Sequence, residues 1–252
     1  MSFDLNEINT GDVKSSEQDY VGYTVKTFES GLYKAKIIQC YGITPNDKQA
    51  KTKGLHFDFE IEYTNEDGNI ELSEFSTSIW ITNKKGEAFF INKDNEKQMM
   101  SNYNLVETIT FAAVNKLITE LGKPTNEIIQ LWNFQEKKEV PTEVPMFKEL
   151  IGKTVGLGLI KKIVNKTVLN KATGLYEPVN TKNTINEIDK VFRIVNGKPF
   201  TMTEVKTGVE EPTFFVQWLN RNKGNTRDTY QEVSGGTQEQ PVAGQTTESL
   251  FD

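Results

Sequence analysis

The sequence predicts a mainly β protein with helical insertions and an acidic C-terminal extension, and three observations carry that expectation. Residues 31–83 alternate apolar and polar side chains with period two between turn residues, as half-buried antiparallel strands do. A segment with apolar residues three and four apart follows, too long for a strand, and a second strand-like block comes after it. From Asp228 to Asp252 the chain holds five acids and neither lysine nor arginine, and is rich in Gly, Gln, Ser and Thr.

Residues 1–30 read as an acidic arm, with Asp4, Glu7, Asp12, Glu17, Asp19 and Glu29 against Lys14 and Lys26. The first strand, Leu32–Tyr41, puts Tyr33, Ala35 and Ile37 on one face and Lys34 and Lys36 on the other. A loop at 44–54 carries Pro45, Lys48, Lys51 and Lys53. The second strand alternates strictly, Leu55, Phe57, Phe59, Ile61 and Tyr63 against His56, Asp58, Glu60 and Glu62, and Asn65-Glu66-Asp67-Gly68 turns the chain. The third, Ile70–Thr82, directs Phe75, Thr77, Ile79 and Ile81 inward and leaves Glu74, Ser76, Ser78, Trp80 and Thr82 on the polar face. A helical insert is expected over 104–134: one helix at 106–121, stopped by Gly122 and Pro124, and a short one at 126–134. Residues 135–147, with Pro141 and Pro145, read as a loop. Strands resume at 153–163 and near 166–169, turn through 171–174, and end with one at 185–195. Pro212 opens a helix at 213–222, with acids before it and Arg221 in its last turn. Three strands, a helix and further strands is the order of an OB-fold, the five-stranded, partly open barrel that binds oligonucleotides on its strand 2–3 face and in its loops. The expected organisation is therefore an arm at 1–30, an OB-fold-like domain at 31–223 and a disordered acidic interaction tail at 224–252.

At 252 residues with 36 % apolar content the chain can bury one ordinary core. A single cysteine, Cys40, excludes an intrachain disulfide, and one histidine, His56, cannot build a Cys/His zinc site, so neither metal nor cofactor is expected. No apolar run approaches a membrane span and the opening residues do not resemble a signal peptide, which points to a reducing cytoplasm. The net charge of −6 argues against nucleic acid only on average, since lysines concentrate at 33–53 and again in Lys148, Lys153, Lys161, Lys162, Lys166, Lys171 and Lys182. Ordinary solvated lysines on edge strands give the same pattern.

Ile151-Gly152-Lys153-Thr154 imitates the end of a P-loop, but Phe147 stands where its first glycine is required. Gly156-Leu157-Gly158 lacks the third glycine of a dinucleotide fingerprint, Lys161 occupying that position, and reads as relief of crowding at a bulge or barrel corner. One histidine and one cysteine support no nucleophile–base pair, and His56 reads as a surface residue. Asp58, Glu60 and Glu62 share a strand face that could hold a divalent ion, or be solvated surface. The remaining signal is aromatic residues among lysines, which offer bases a stacking face and phosphates a cation. Lys34, Lys36, Lys51, Lys53, Lys84, Lys161, Lys162 and Lys166 are the candidate groove, and Trp80, Tyr41 and Tyr176 the candidate stacking residues. Trp80 is either an open platform or covered as the barrel curls, and both stay open at this level.

The chain resembles the single-stranded DNA-binding proteins of tailed bacteriophages in Gly31-Leu-Tyr-Lys-Ala-Lys-Ile-Ile, Leu55-His-Phe-Asp-Phe-Glu-Ile-Glu-Tyr with its acidic Gly turn, Ser78-Ile-Trp-Ile-Thr, Glu149-Leu-Ile-Gly-Lys-Thr-Val and the acidic tail. The resemblance implies an OB-fold that coats single-stranded DNA, without catalysis or sequence preference, during phage replication, recombination and repair in the host cytoplasm. It also implies a C-terminus, Leu250, Phe251 and Asp252, that recruits replication and recombination proteins. The tail departs from the pattern: it is sparsely acidic and ends Phe251-Asp252, where related tails end on phenylalanine after dense acids. Two other classes fit the same residues. One is a protein-interaction or structural β-barrel without DNA binding; the other is a metal-dependent DNA enzyme using Asp58 and Glu60. Oligomeric state is left open.

Overall fold

In β2 (Gly54–Thr64) the side chains of Leu55, Phe57, Phe59 and Ile61 are buried while their neighbours face outward, the period-two pattern realised in three dimensions. The computed structural model describes residues 27–45, 49–65, 67–133, 136–170 and 176–233. β2 pairs antiparallel with β1 (Gly31–Ile43) on one side and β3 (Ile70–Trp80) on the other, the meander expected from sequence. A bulge between Ile37 and Gln39 shifts the β1 register. A separate hairpin, β4 (Phe89–Ile91) and β5 (Lys97–Met99), leads into α1 (Ser101–Val114). Then come β6 (Thr125–Asn133) and β7 (Lys138–Met146), the long pair β8 (Thr154–Leu169) and β9 (Tyr176–Val195), and β10 (Lys198–Phe200). Helices α2 (Met202–Thr207) and α3 (Phe214–Asn222) and the strand β11 (Thr226–Asp228) complete the described chain.

The main sheet runs β10-β9-β8-β1-β2-β3 and is open: no ladder joins β3 to β9. α1 touches β3, β8 and β9, standing across the gap that a closed barrel would fill with hydrogen bonds. Its Val106, Ile109 and Ala112 enter one core with Phe57, Phe59, Leu157 and Leu159. The other face of β8 and β9 is covered by α3, whose Trp218 packs with Ile160 and Phe192. Gly158 allows this approach, because a Cβ there would lie 3.0 Å from the indole Cζ2. The register shift between Gly158 and Leu159 places it at a bulge, in keeping with the sequence reading of these glycines.

Several expectations are corrected. The helical insert is shorter: α1 ends at Val114, where Asn115 adopts the left-handed conformation (φ 61°) and its N–H bonds to Phe111 O. The apolar spacing that suggested continuation falls in a single 3₁₀ turn at Ile118–Glu120. In place of the short helix expected at 126–134 and the loop expected at 135–147, Thr125–Asn133 and Lys138–Met146 pair as the β6–β7 hairpin. Ile129 and Leu131 turn toward Tyr41, Val144 and Met146, a period-two face hidden in a run too mixed to display it. Pro141 and Pro145 are accommodated because β7 joins β1 only at Tyr41↔Met146, leaving most of its other edge unpaired. β8 is one strand rather than two, and β9 begins nine residues before the expected 185, at Tyr176. The polar run Asn180–Thr184 gives no alternation because the ladder to β8, not burial, holds Lys182–Thr184, while Asn180 and Thr181 lie at a register shift.

Both domain edges also move outward. Phe28 is buried edge-on between Tyr33 and Tyr63, at 5.3 and 6.0 Å between ring centroids. Its backbone N–H and C=O are both held at 2.8 Å by the Asn186 amide. β11 runs parallel to β8 at Lys161–Ile163, so the expected tail at 224–252 is partly structure. Beyond it the Asn165 amide brackets the backbone of Gln231, and that of Asn180 brackets Val233. The turn at 171–174, the arm before residue 27, and Leu250, Phe251 and Asp252 lie outside the described residues.

Candidate nucleic-acid interface

The β1–β2 loop is zipped to the chain leaving β3. Lys51 N–H donates to Lys84 O (3.0 Å), Lys53 O accepts from Ile81 and Thr82, and Lys53 N–H donates to Thr82 Oγ1 (2.7 Å). The Asn83 side chain then folds the next turn, accepting from the N–H groups of Lys85 and Glu87, with Gly86 at φ +84°. These local bonds bring Lys51, Lys53, Lys84 and Lys85 to one end of the β2–β3 pair. None of the four forms an ion pair among the described residues.

Trp80 stands among them, 37 % exposed, so it is neither sealed nor free on both faces. Gly54 pairs with it across the ladder, and a Cβ at Gly54 would lie 2.8 Å from Ile79 O and 2.9 Å from the indole Cε3. Gly54→Ala is therefore expected to push the indole off its seat, lowering stability by about 1–3 kcal/mol and weakening any ligand that stacks there. Thermal melting with tryptophan fluorescence checks this, and an unshifted spectrum with unchanged stability counts against the geometry.

The same end carries a feature absent from the sequence reading. The β4–β5 hairpin exposes Phe90 (49 %), Ile91 and Met99, with Lys93 in its turn and the Lys97 ammonium 4.6 Å from the Phe89 ring centroid. Ala88-Phe-Phe-Ile followed by Asn92, Asp94 and Asn95 was the available signal: β-formers bounded by turn residues.

The other expected site residues are placed elsewhere. Lys34 and Lys36 lie on the outer sheet face but engage Glu62 (2.7 Å) and Glu60 (3.9 Å), and on that face the two cations meet four carboxylates, Asp58, Glu60, Glu62 and Glu74. Tyr41 is 6 % exposed, covered by Val144 and Met146, and its ring lies 4.8 Å from that of His56. Burial, with the Asp58 charge behind it, pushes its phenol up to about 12. Lys161 holds Glu29 (2.5 Å) and Lys162 holds Glu187 (2.7 Å). These two and Lys166 lie on β8 past the Gly31↔Leu159 pairing, beyond the end of β1 opposite to Trp80. β1 is 13 residues long, about 40 Å of extended strand, so the two lysine groups do not converge into one trough. Tyr176 is 72 % exposed and pairs with Leu169 on the projecting β8–β9 arm.

The acidic face holds an ordered relay rather than loose surface groups. His56 Nδ1 lies 2.8 Å from Ser78 Oγ, His56 Nε2 lies 3.1 Å from Asp58 Oδ1, and Ser76 donates to the same oxygen at 2.5 Å. Burial raises the Asp58 carboxyl, but the hydrogen bonds from His56 and Ser76 more than offset it and hold it below the usual range. The series resembles a hydrolytic triad in composition only: Asp58 is shared with a second serine, and Thr77 and Ile79 beside Ser78 are committed to the β2 ladder. Among the described residues no group of three or more His, Cys, Asp or Glu is arranged to hold a metal, and Glu60 and Glu62 are engaged by lysines. The P-loop imitation has its N–H groups consumed: Ile151 donates to Lys148 O, Gly152 to Ile37 O and Lys153 to Leu150 O. Among the described residues no helix is long and apolar enough to cross a membrane. No protein-family description, no curated protein and no solved structure matches the chain.

Proposed function

We propose that this chain is a non-catalytic single-stranded DNA-binding protein, with the strand at the Trp80 end of an OB-like, incompletely closed barrel. The observation that carries the reading is the cluster of Lys51, Lys53, Lys84 and Lys85, which form no ion pair among the described residues, around a part-exposed indole. It occupies the loop and strand ends where barrels of this kind hold oligonucleotides. Cations track phosphates while Trp80 and Phe90 offer stacking faces of about 1–3 kcal/mol per base, without reading sequence. A duplex buries its base faces and gains only from the charges. The role in phage replication, recombination and repair, the cytoplasmic site of action and recruitment of partners by residues at the C-terminus rest on the sequence resemblance.

Fluorescence polarisation at low salt with single-stranded and duplex oligonucleotides tests the reading. With four phosphates neutralised, log affinity should fall with log salt at a slope of about −3, and the single strand should bind more tightly. A salt-independent signal or equal preference for duplex rejects it.

One observation favours a second reading, a protein-interaction module. The outer face of β1–β3 is net acidic, and the β6–β7 hairpin exposes Ile128 and Trp132 beside Glu139 and Glu143. That reading expects no shift of a labelled oligonucleotide at any salt.

A further inference from the structure

A second concentration of positive charge lies at the C-terminal end of α1. A cavity of about 560 Å³ opens between Ala113 and Val114, the turn at 148–151 and β9, and Lys148, Lys153 and Arg193 supply its cations. Glu149, the one acid on its wall, has both oxygens engaged: one by the Lys116 ammonium, the other by the Gly122 N–H at 3.3 Å. Those bonds, Lys116 first, and the nearby charge of Lys153 hold its carboxyl below the usual range. Lys148 reaches out to Glu127 of β6 at 2.5 Å.

Lys153 and Arg193 are left without a carboxylate partner among the described residues. Arg193 is half-buried and spends one donor, Nη1, on Phe111 O at 3.1 Å, out of the five a guanidinium carries. Helix C-termini attract cations, and that accounts for the Arg193 bond to the α1 carbonyl. It does not account for Lys153, which makes no bond to the helix. Lys206 adds a further cation, over the Phe111 ring at 5.4 Å.

We propose that this cavity is a phosphate-binding site, with Arg193 presenting its planar donor edge to the anion and Lys153 its ammonium. Two cations outside any ion pair among the described residues match the charge of a phosphate dianion, the Glu149 charge beside Lys153 being met by Lys116, and guanidinium geometry suits two phosphate oxygens at once. The backbone N–H groups of the 151–153 turn are already bonded, so recognition falls to side chains. The volume exceeds a bare phosphate and lies within the range of small-molecule sites, so the group arrives either as inorganic phosphate or as the terminal phosphate of a nucleotide. The site shares no residue with the Trp80 cluster and stands whether or not that cluster binds DNA.

The test is ¹H–¹⁵N NMR of the full chain, following the Arg193 Nε–H and the amides of Ala113, Val114 and Gly152. The titrants are orthophosphate and, separately, adenosine 5′-monophosphate, with adenosine and chloride at matched ionic strength as controls. Saturable shifts with either phosphate, absent in both controls and weakened at least tenfold by Lys153→Gln and by Arg193→Gln, are expected. Tighter binding of the monophosphate than of orthophosphate identifies the nucleotide source, and equal binding the free ion. Lys153→Gln is the deciding variant, because that exposed side chain supports no part of the fold, whereas Arg193→Gln also removes a bond to α1. Shifts that chloride reproduces, no saturation, or affinity unchanged in Lys153→Gln overturns the proposal.

Discussion

Replacing Lys51, Lys53, Lys84 and Lys85 together by glutamine is expected to weaken single-stranded DNA binding by about 600-fold at 0.1 M salt and very little at 1 M. Each phosphate neutralised on a single strand contributes about 0.7 to the salt slope, so four phosphates account for nearly three decades of affinity per decade of salt. The four side chains sit in the loop before β2 and the turn after β3 and make no ion pair among the described residues. Their removal should therefore leave the melting temperature nearly unchanged. Lys34→Gln with Lys36→Gln provides the contrast, since these lysines already face Glu62 and Glu60. That pair should cost less than fivefold. Polarisation titrations at several salt concentrations read both variants. If the quadruple variant keeps its affinity and slope while the Lys34/Lys36 variant loses them, the strand binds on the sheet face and the assignment of the interface is wrong.

Glu204→Ala should cost about 3 kcal/mol, the largest stability loss expected of any single polar substitution here. Glu204 is 9 % exposed, and its carboxylate accepts from Thr201 N–H (2.8 Å) and Thr201 Oγ1 (2.9 Å) at the start of α2. It also accepts from Thr213 (2.9 Å) and Phe214 (3.0 Å) N–H groups at the start of α3. One carboxylate thus caps two helices, and α3 carries the Trp218 that seals Ile160 and Phe192. In a chain of this size the loss corresponds to roughly 6–12 °C in Tm. The pH dependence has a definite sign. Burial raises the carboxyl, but the four hydrogen bonds, Phe214 first among them, outweigh it and lower it below its ordinary value. The stabilisation is then complete above the unfolded value of about 4.3 and fades as pH falls through the folded one. The gap between wild type and Glu204→Ala should narrow as pH falls below that unfolded value and through the lower folded one. Denaturant melts at pH 7 and pH 3 measure this, and a loss under 0.5 kcal/mol, or a gap undiminished at pH 3, contradicts the capping role.

What the sequence displays reliably is whatever one face of one element decides. The alternation in Leu55–Tyr63 is legible because β2 is central, buried on one side and wet on the other, so local order and tertiary environment coincide. The α3 segment is legible through Pro212, its flanking charges and Gly224. The β6–β7 hairpin was not, because Ile128 and Trp132 are exposed while Ile129 and Leu131 are half-buried, which blurs both periods. β9 was half-legible for the opposite reason, since its polar half is held by backbone pairing that leaves no trace in side-chain type.

The same division runs through the candidate site. That the protein is mainly β, that Trp80 stands on a polar face and that lysines gather in the first loop all follow from residue order, because alternation and turn chemistry act between near neighbours. Which lysines stand together, which are neutralised by Glu29, Glu60, Glu62 and Glu187, and that Tyr41 is covered by β7 were decided only when the strands found their partners. So was the placing of Lys153 beside Arg193, 40 positions apart. Charges act through a few ångströms of space rather than along the chain, so their grouping is a property of the packed sheet and not of the order of residues.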